Sequence, residues 1–298
     1  MAIHDVGFRG YEGARTSALA RITAIAKSDV SRTFRSWKFM LFYLVSIAPA
    51  LFALAMLYLK FIIIEGQGNT TGIRLPRSAG NAIDRLFTVE GFLDFGQGAT
   101  TLLTILFSAV VGAGILSRDR KAGALELYFT RGIRPWQYVA GKWLGVWFLL
   151  LCQVLFPFII VWLFGISVAS EESGFVERTS KFMPYVALAQ MFMCGTLAFW
   201  LVALSASTES SRFALLRWTG GLFLLQTVSS VLWRQFQQPN WLAVSPFRVV
   251  RRIAAEISGA APYPSNFDFE PAMWVWVVLT VTSALWLRLH LRPIEVVA

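Results

Sequence analysis

From Phe39 to Ile64 the chain is apolar apart from a single charge, Lys60. A helix of that length and composition crosses a bilayer with some tilt and has no hydrated face to offer a soluble domain. Five more apolar runs follow, at about 99–116, 142–168, 182–204, 213–233 and 273–289. Together they predict an all-α polytopic membrane protein with six transmembrane helices. Composition excludes the soluble alternative: 56% of the 298 residues are hydrophobic, 15% are charged, and mean hydropathy is +0.58. Pro49 predicts a kink within the first span.

The charges set orientation. Arg118, Arg120, Lys121, Arg131, Arg134 and Lys142 lie between the second and third spans, and the segment before the first span carries Arg9, Arg15, Arg21, Lys27, Arg32, Arg35 and Lys38. By the positive-inside rule both stretches face the cytosol. The N-terminus then stays inside, without a cleavable leader. Residues 1–38 read as a cytoplasmic N-terminus, 39–290 as the six-span domain and 291–298 as a cytoplasmic tail. The net charge of +10 comes mostly from residues that flank spans, so it reads as topology and lipid headgroup contact and not as nucleic-acid binding.

Two surface helices are predicted beside the spans. From Leu19 to Trp37, Ile22, Ile25, Ala26, Val30, Thr33, Phe34 and Trp37 share one side and Arg21, Arg32, Arg35 and Lys38 the other, as in an interfacial amphipathic helix. Asp29 is misplaced near the rim of that apolar side. Between the fifth and sixth spans, Ser245-Pro246 is a helix start and Gly259 a stop. The stripe Phe247, Val250, Ala254 and Ile257 would rest on the outer membrane surface. Arg248, Arg251 and Arg252 would then form a solvated face, which is the plainer reading, or meet an anionic substrate, lipid or extracytoplasmic partner.

The central loop carries the most specific pattern. Leu125, Tyr128 and Phe129 fall at i, i+3 and i+4, so a short helix from about Gly123 gathers them on one face suited to a groove on a partner. Arg118-Asp119-Arg120, Gly123, Leu125-Glu126-Leu127 and Gly141-Lys142 are spaced as in the cytoplasmic loop of ABC-2 type transporter permeases, and the chain resembles that family. Lys121 stands where an acid is usual, Ala124 where Thr is common and Gly132 where Pro is usual, with Pro135 nearby. A basic loop between spans is the plainer alternative.

The resemblance implies the membrane subunit of an ABC transporter in a bacterial inner membrane, paired with a second permease copy and with two copies of an ABC ATPase. It implies that Arg118, Asp119, Arg120, Lys121, Gly123, Leu125, Glu126, Leu127, Tyr128, Phe129 and Arg131 form the coupling helix and its approaches, which the ATPase would engage. ATP and magnesium would be bound by that partner, with no cofactor in this chain. The sequence agrees in lacking G-x-x-x-x-G-K-[ST], H-E-x-x-H and any acidic residue at the centre of a predicted span. Met191 with Cys194 has spacing for a soft metal, but both residue types are ordinary filler in apolar helices. Two other classes fit the pattern less well. One is a mechanical ABC-type complex acting on an extracytoplasmic accessory protein without transport. The other is a membrane enzyme, for which an acid, base and nucleophile are missing.

Overall fold

The computed structural model describes residues 17–65, 88–91, 101–125, 128, 133–169, 174–261 and 267–291. The regular elements among them are helical. In chain order they are α1 (Ala18–Phe34), α2 (Trp37–Ser46), α3 (Ala48–Tyr58, prolonged by a π-helical turn to Glu65), α4 (Thr101–Gly112) and α5 (Ile115–Lys121). There follow α6 (Pro135–Val168), α7 (Phe175–Ser205), α8 (Ser211–Phe236), a 3-10 turn (Pro239–Val244), α9 (Pro246–Ser258) and α10 (Phe269–His290).

Four of these are long and apolar enough to cross a membrane: Leu102–Lys121, made of α4 and α5, then α6, α7 and α10. The pair Trp37–Ser46 and Ala48–Ile62, bent by 45°, adds a fifth if it is one broken span. The break falls at Ile47, with Pro49 in the first turn of the new helix, where a missing backbone N–H does no harm. The expected fifth span at 213–233 is helical as part of α8, but its composition keeps it out of that set. Within it Arg217, Gln226, Ser229 and Ser230 lower the hydropathy, as Arg212 and Arg234 do at the two ends of α8, and two of these residues turn toward α9. Gln226 Oε1 accepts from Ser245 at 2.5 Å, and Ser230 Oγ accepts from Arg248 at 2.7 Å.

Helices α6 and α7 form the spine. At 34 and 31 residues they run about 51 and 46 Å, well beyond a hydrocarbon core of about 30 Å. They begin earlier than the expected 142 and 182, so each reaches into what the sequence suggested was loop. Their seam is held by indoles whose N–H groups need acceptors away from water. Trp143 donates to the Gly195 carbonyl at 2.9 Å and Trp147 to that of Met191 at 3.0 Å, the two rings stacked 5.5 Å apart. Trp218 of α8 donates to Ser108 of α4 at 2.8 Å, and Trp200 and Trp276 join α7 to α10 through Thr280 and Thr196. Gly112 lets Leu201 of α7 come close, and Gly114 does the same for Ser211. Met193 and Cys194 are buried among apolar neighbours in the core.

Both amphipathic helices lie where their local signals put them, but neither spends its apolar face on a membrane surface. Helix α1 starts on the Ser17 cap and buries Ile25, Ala26 and Asp29 against α6, with Gly141 and Gly145 opposite. Helix α9 starts on the Ser245 cap and stops at Gly259, whose φ is +70°. It buries Phe247, Val249, Val250, Ile253, Ala254 and Ala255. The apolar stripe read from the sequence therefore faces other helices: protein takes the place of the membrane surface.

A buried ion cluster as candidate functional site

Gly141 and Gly145 stand one turn apart on α6, and the bare backbone between them is the seat of α1. A Cβ at Gly141 would lie 2.8 Å from the Ile25 Cβ and 3.0 Å from the Ile22 carbonyl; at Gly145 it would lie 3.5 Å from the Ala26 backbone. That approach carries Asp29 against Lys142, the residue beside Gly141. The Lys142 ammonium lies 3.0 Å from Asp29 Oδ1, to which it donates, and 2.9 Å from Oδ2, which is inside ion-pair distance but off the hydrogen-bond direction. On its other side it meets Asp119 Oδ2 of α5 at 2.7 Å.

Lys142 is 1% exposed, Asp29 7% and Asp119 6%, so a lysine and two carboxyl side chains from three helices share a site almost closed to water. Tyr138, one turn before Lys142, completes it. Its hydroxyl donates to Asp119 Oδ2 at 2.8 Å, and its ring lies 5.4 Å from the ammonium. Arg32 reaches Asp29 at 3.9 Å from the exposed side and moderates the excess of negative charge. A buried charge of this kind persists only when paired and hydrogen-bonded, and removal of one partner strands the others.

The charged loop is stitched to the body in two further places. Arg120 donates to the Ala206 carbonyl at 2.6 Å. Ser205, fully buried, donates to the Ala113 carbonyl at 2.8 Å while its oxygen accepts from the amides of Leu116 and Ser117; Ser117 meets Ser211 at 3.2 Å. The first and second connections on this side of the bundle thus form one surface.

Of the residues singled out for coupling, Arg118 and Lys121 are exposed on the last turns of α5, and Arg118 Nε donates to Gly114. Asp119 and Arg120 turn inward. Gly123 ends α5 with φ +64°, the left-handed closure that glycine takes without strain. Leu125 and Tyr128 are partly buried against the core, with Tyr128 5.3 Å from the Tyr138 ring, so they buttress the loop from beneath. Glu126, Leu127, Phe129 and Arg131 lie outside the described residues. On α9, Arg252 donates to the Phe267 carbonyl at 2.8 Å and pairs with Glu256 at 2.9 Å; Arg248 donates to Ser230, and Arg251 is half-buried.

Sequence reasoning missed the role of Asp29 and Lys142. The available signal was Asp29 itself, a carboxylate on the apolar side of its helix. Lys142 looked like an ordinary flanking cation because the third span appeared to start there and not two turns earlier.

Among the described residues, no group of three or more His, Cys, Asp or Glu side chains is placed to hold a metal. Comparison with curated proteins finds no match. Residues 84–255 match the family described as ABC-2 family transporter protein. The matched stretch runs from ahead of α4 into α9 and contains Asp119, Tyr138 and Lys142. Since it covers more than half of the chain, this protein belongs to the ABC-2 transporter family.

Proposed function

We propose that the chain is the permease subunit of an ABC exporter in a bacterial plasma membrane, with six spans and both termini in the cytosol. A second permease copy would complete the pathway. A separate ATPase, two copies per complex, would bind ATP and magnesium, dock on the surface formed by α5, the turn at Gly123 and the 206–210 connection, and drive substrate outward. The carrying observation is the Asp29–Lys142–Asp119 cluster. It fastens the loop that a partner can reach to α1 on one side and to the 34-residue α6 on the other, so displacement of the loop is delivered to both.

In this reading the coupling residues divide by position. Arg118 and Lys121 meet the ATPase, and Leu125 and Tyr128 hold the loop at its working height; Glu126, Leu127, Phe129 and Arg131 are assigned to the coupling segment by the sequence pattern alone. Arg248 and Arg252 have partners within the chain, which weakens the mechanical-complex alternative that rested on that face.

Charge reversal at both exposed positions, Arg118→Glu with Lys121→Glu, tests the docking surface. Rim charges act on association and are screened by salt. The variant should retain less ATPase on co-purification at low salt and approach wild type as salt rises. Unchanged retention at every salt concentration would move the docking surface elsewhere.

A further inference from the structure

Where the first turns of α6 pass the last turns of α10, with Phe199 of α7 behind them, the bundle leaves an open groove of about 830 Å³. Trp136, Val139, Trp143, Phe199 and Leu287 line it, and Arg288 is the charged residue in the lining. The volume suits a ligand of a few dozen heavy atoms. Trp143 has already given its N–H to Gly195, so its ring offers only apolar surface. Trp136 and Arg288 remain exposed.

The groove lies at the same end of the bundle as the ion cluster, since Trp136, Val139 and Trp143 alternate along α6 with Tyr138 and Lys142. Around it α10 shows Leu285 and Leu289 outward and finishes in Arg288 and His290. An apolar slot flanked by tryptophan and closed by arginine has the layering of a bilayer at its boundary, acyl chain below and anionic headgroup above.

We infer that the groove holds one anionic phospholipid from the leaflet facing the charged loop, with an acyl chain along Trp136, Val139 and Trp143 and its phosphate at Arg288. The inference rests on the membrane orientation proposed above. Charge complementarity selects the occupant: among the described residues the lining contains a cation and no carboxylate. A lipid wedged between α6 and α10 beside the ion cluster would make coupling sensitive to membrane composition.

The test uses native mass spectrometry of the full chain released from nanodiscs of equimolar phosphatidylglycerol and phosphatidylcholine. Wild type should retain one phosphatidylglycerol per chain in preference to phosphatidylcholine. Arg288→Gln should lower that preference about five-fold, the worth of one basic residue near a lipid surface. Filling the groove with Ala140→Phe and Ala284→Phe should remove the retained lipid of both kinds. Equal retention of the two lipids, unaffected by Arg288→Gln, would overturn the proposal. So would a groove-filled variant that keeps its lipid but changes from dimer to monomer, which would assign the groove to a second copy of the chain. Should the filled variant fail to fold, Arg288→Gln, at an exposed position, still decides. No ATPase enters the measurement, so its failure leaves the proposed energy coupling standing.

Discussion

At the charged-loop end, Asp29, Asp119 and Lys142 come from three helices and are buried on one another; around α9, Arg248, Arg251 and Arg252 come from one helix and remain partly exposed. Arg248 and Arg252 lean on a serine hydroxyl, a backbone carbonyl and an exposed glutamate. In the first region every group depends on the others for its solvation, whereas in the second the pairs keep some contact with water, Glu256 being 57% exposed where its partner Arg252 is 11%. Burial therefore makes the first cluster a mechanical joint, and exposure leaves the second a set of local braces.

The largest expected effect comes from breaking the joint on one side only. Lys142→Met takes from two buried carboxylates the cation they share, with Arg32 reaching only Asp29, at 3.9 Å from the exposed side, and loss of one partner of a buried pair costs about 3–5 kcal/mol. The detergent-purified variant should lose most of its thermal stability. Neutralising the whole site, with Asp29→Asn and Asp119→Asn added to Lys142→Met, should restore stability, because an unpaired charge no longer remains. If the single and triple variants unfold alike, the site is wetter than its burial implies.

Gly141→Val comes next. Its side chain must displace Ile25, and overpacking of this kind costs about 1–3 kcal/mol. A disulfide engineered between α1 and α6 would form more slowly in this variant as the helices separate. Ser245→Ala, which removes both the α9 cap and the bond to Gln226, should cost about 1 kcal/mol, read from the same unfolding curves. A loss as large as that of Lys142→Met would erase the contrast between the two regions.

The smallest effect is a pH dependence near α9. Glu90 accepts from the Ala261 amide at 3.1 Å. Partial burial pushes its carboxyl up, and bonds from its own amide, the Ala261 amide and Thr88 more than offset this, so its pKa lies below the ordinary value. A depressed carboxylate contributes fully above its unfolded pKa and loses its contribution as pH falls through the folded one. Protection of the Ala261 amide, measured relative to its intrinsic exchange rate at each pH, should accordingly be higher at neutral pH than in acid or in Glu90→Gln. Equal protection across that range would show that the bond is not maintained.

Where local chemistry decides an element, the sequence shows it. Ser245-Pro246 and Gly259 bound α9, Pro49 follows the bend in the first apolar helix, and the stripe of α1 is read correctly down to the misplaced Asp29, except at Trp37, which opens α2 and is 79% exposed. What covers each stripe depends on partners far along the chain. Nothing near Ile25 announces that Gly141 and Gly145 bare the backbone opposite it, so both amphipathic helices were assigned to a membrane surface when protein covers them. Helices α6 and α7 also start seven residues ahead of the expected spans while ending with them, because helices that outrun the bilayer continue into polar sequence. The motif at Arg118–Lys142 was visible as a pattern, while the convergence of its Asp119 and Lys142 on Asp29 exists only in three dimensions.

The most direct test of transmission through the ion cluster is ATP hydrolysis by the co-purified ATPase in the presence of the Asp29→Asn, Asp119→Asn, Lys142→Met permease. The variant should insert, retain the ATPase through its unchanged surface at Arg118 and Lys121, and fail to stimulate hydrolysis as wild type does. Stimulation at the wild-type level in an assembled complex would contradict the account and reduce the cluster to a structural pairing.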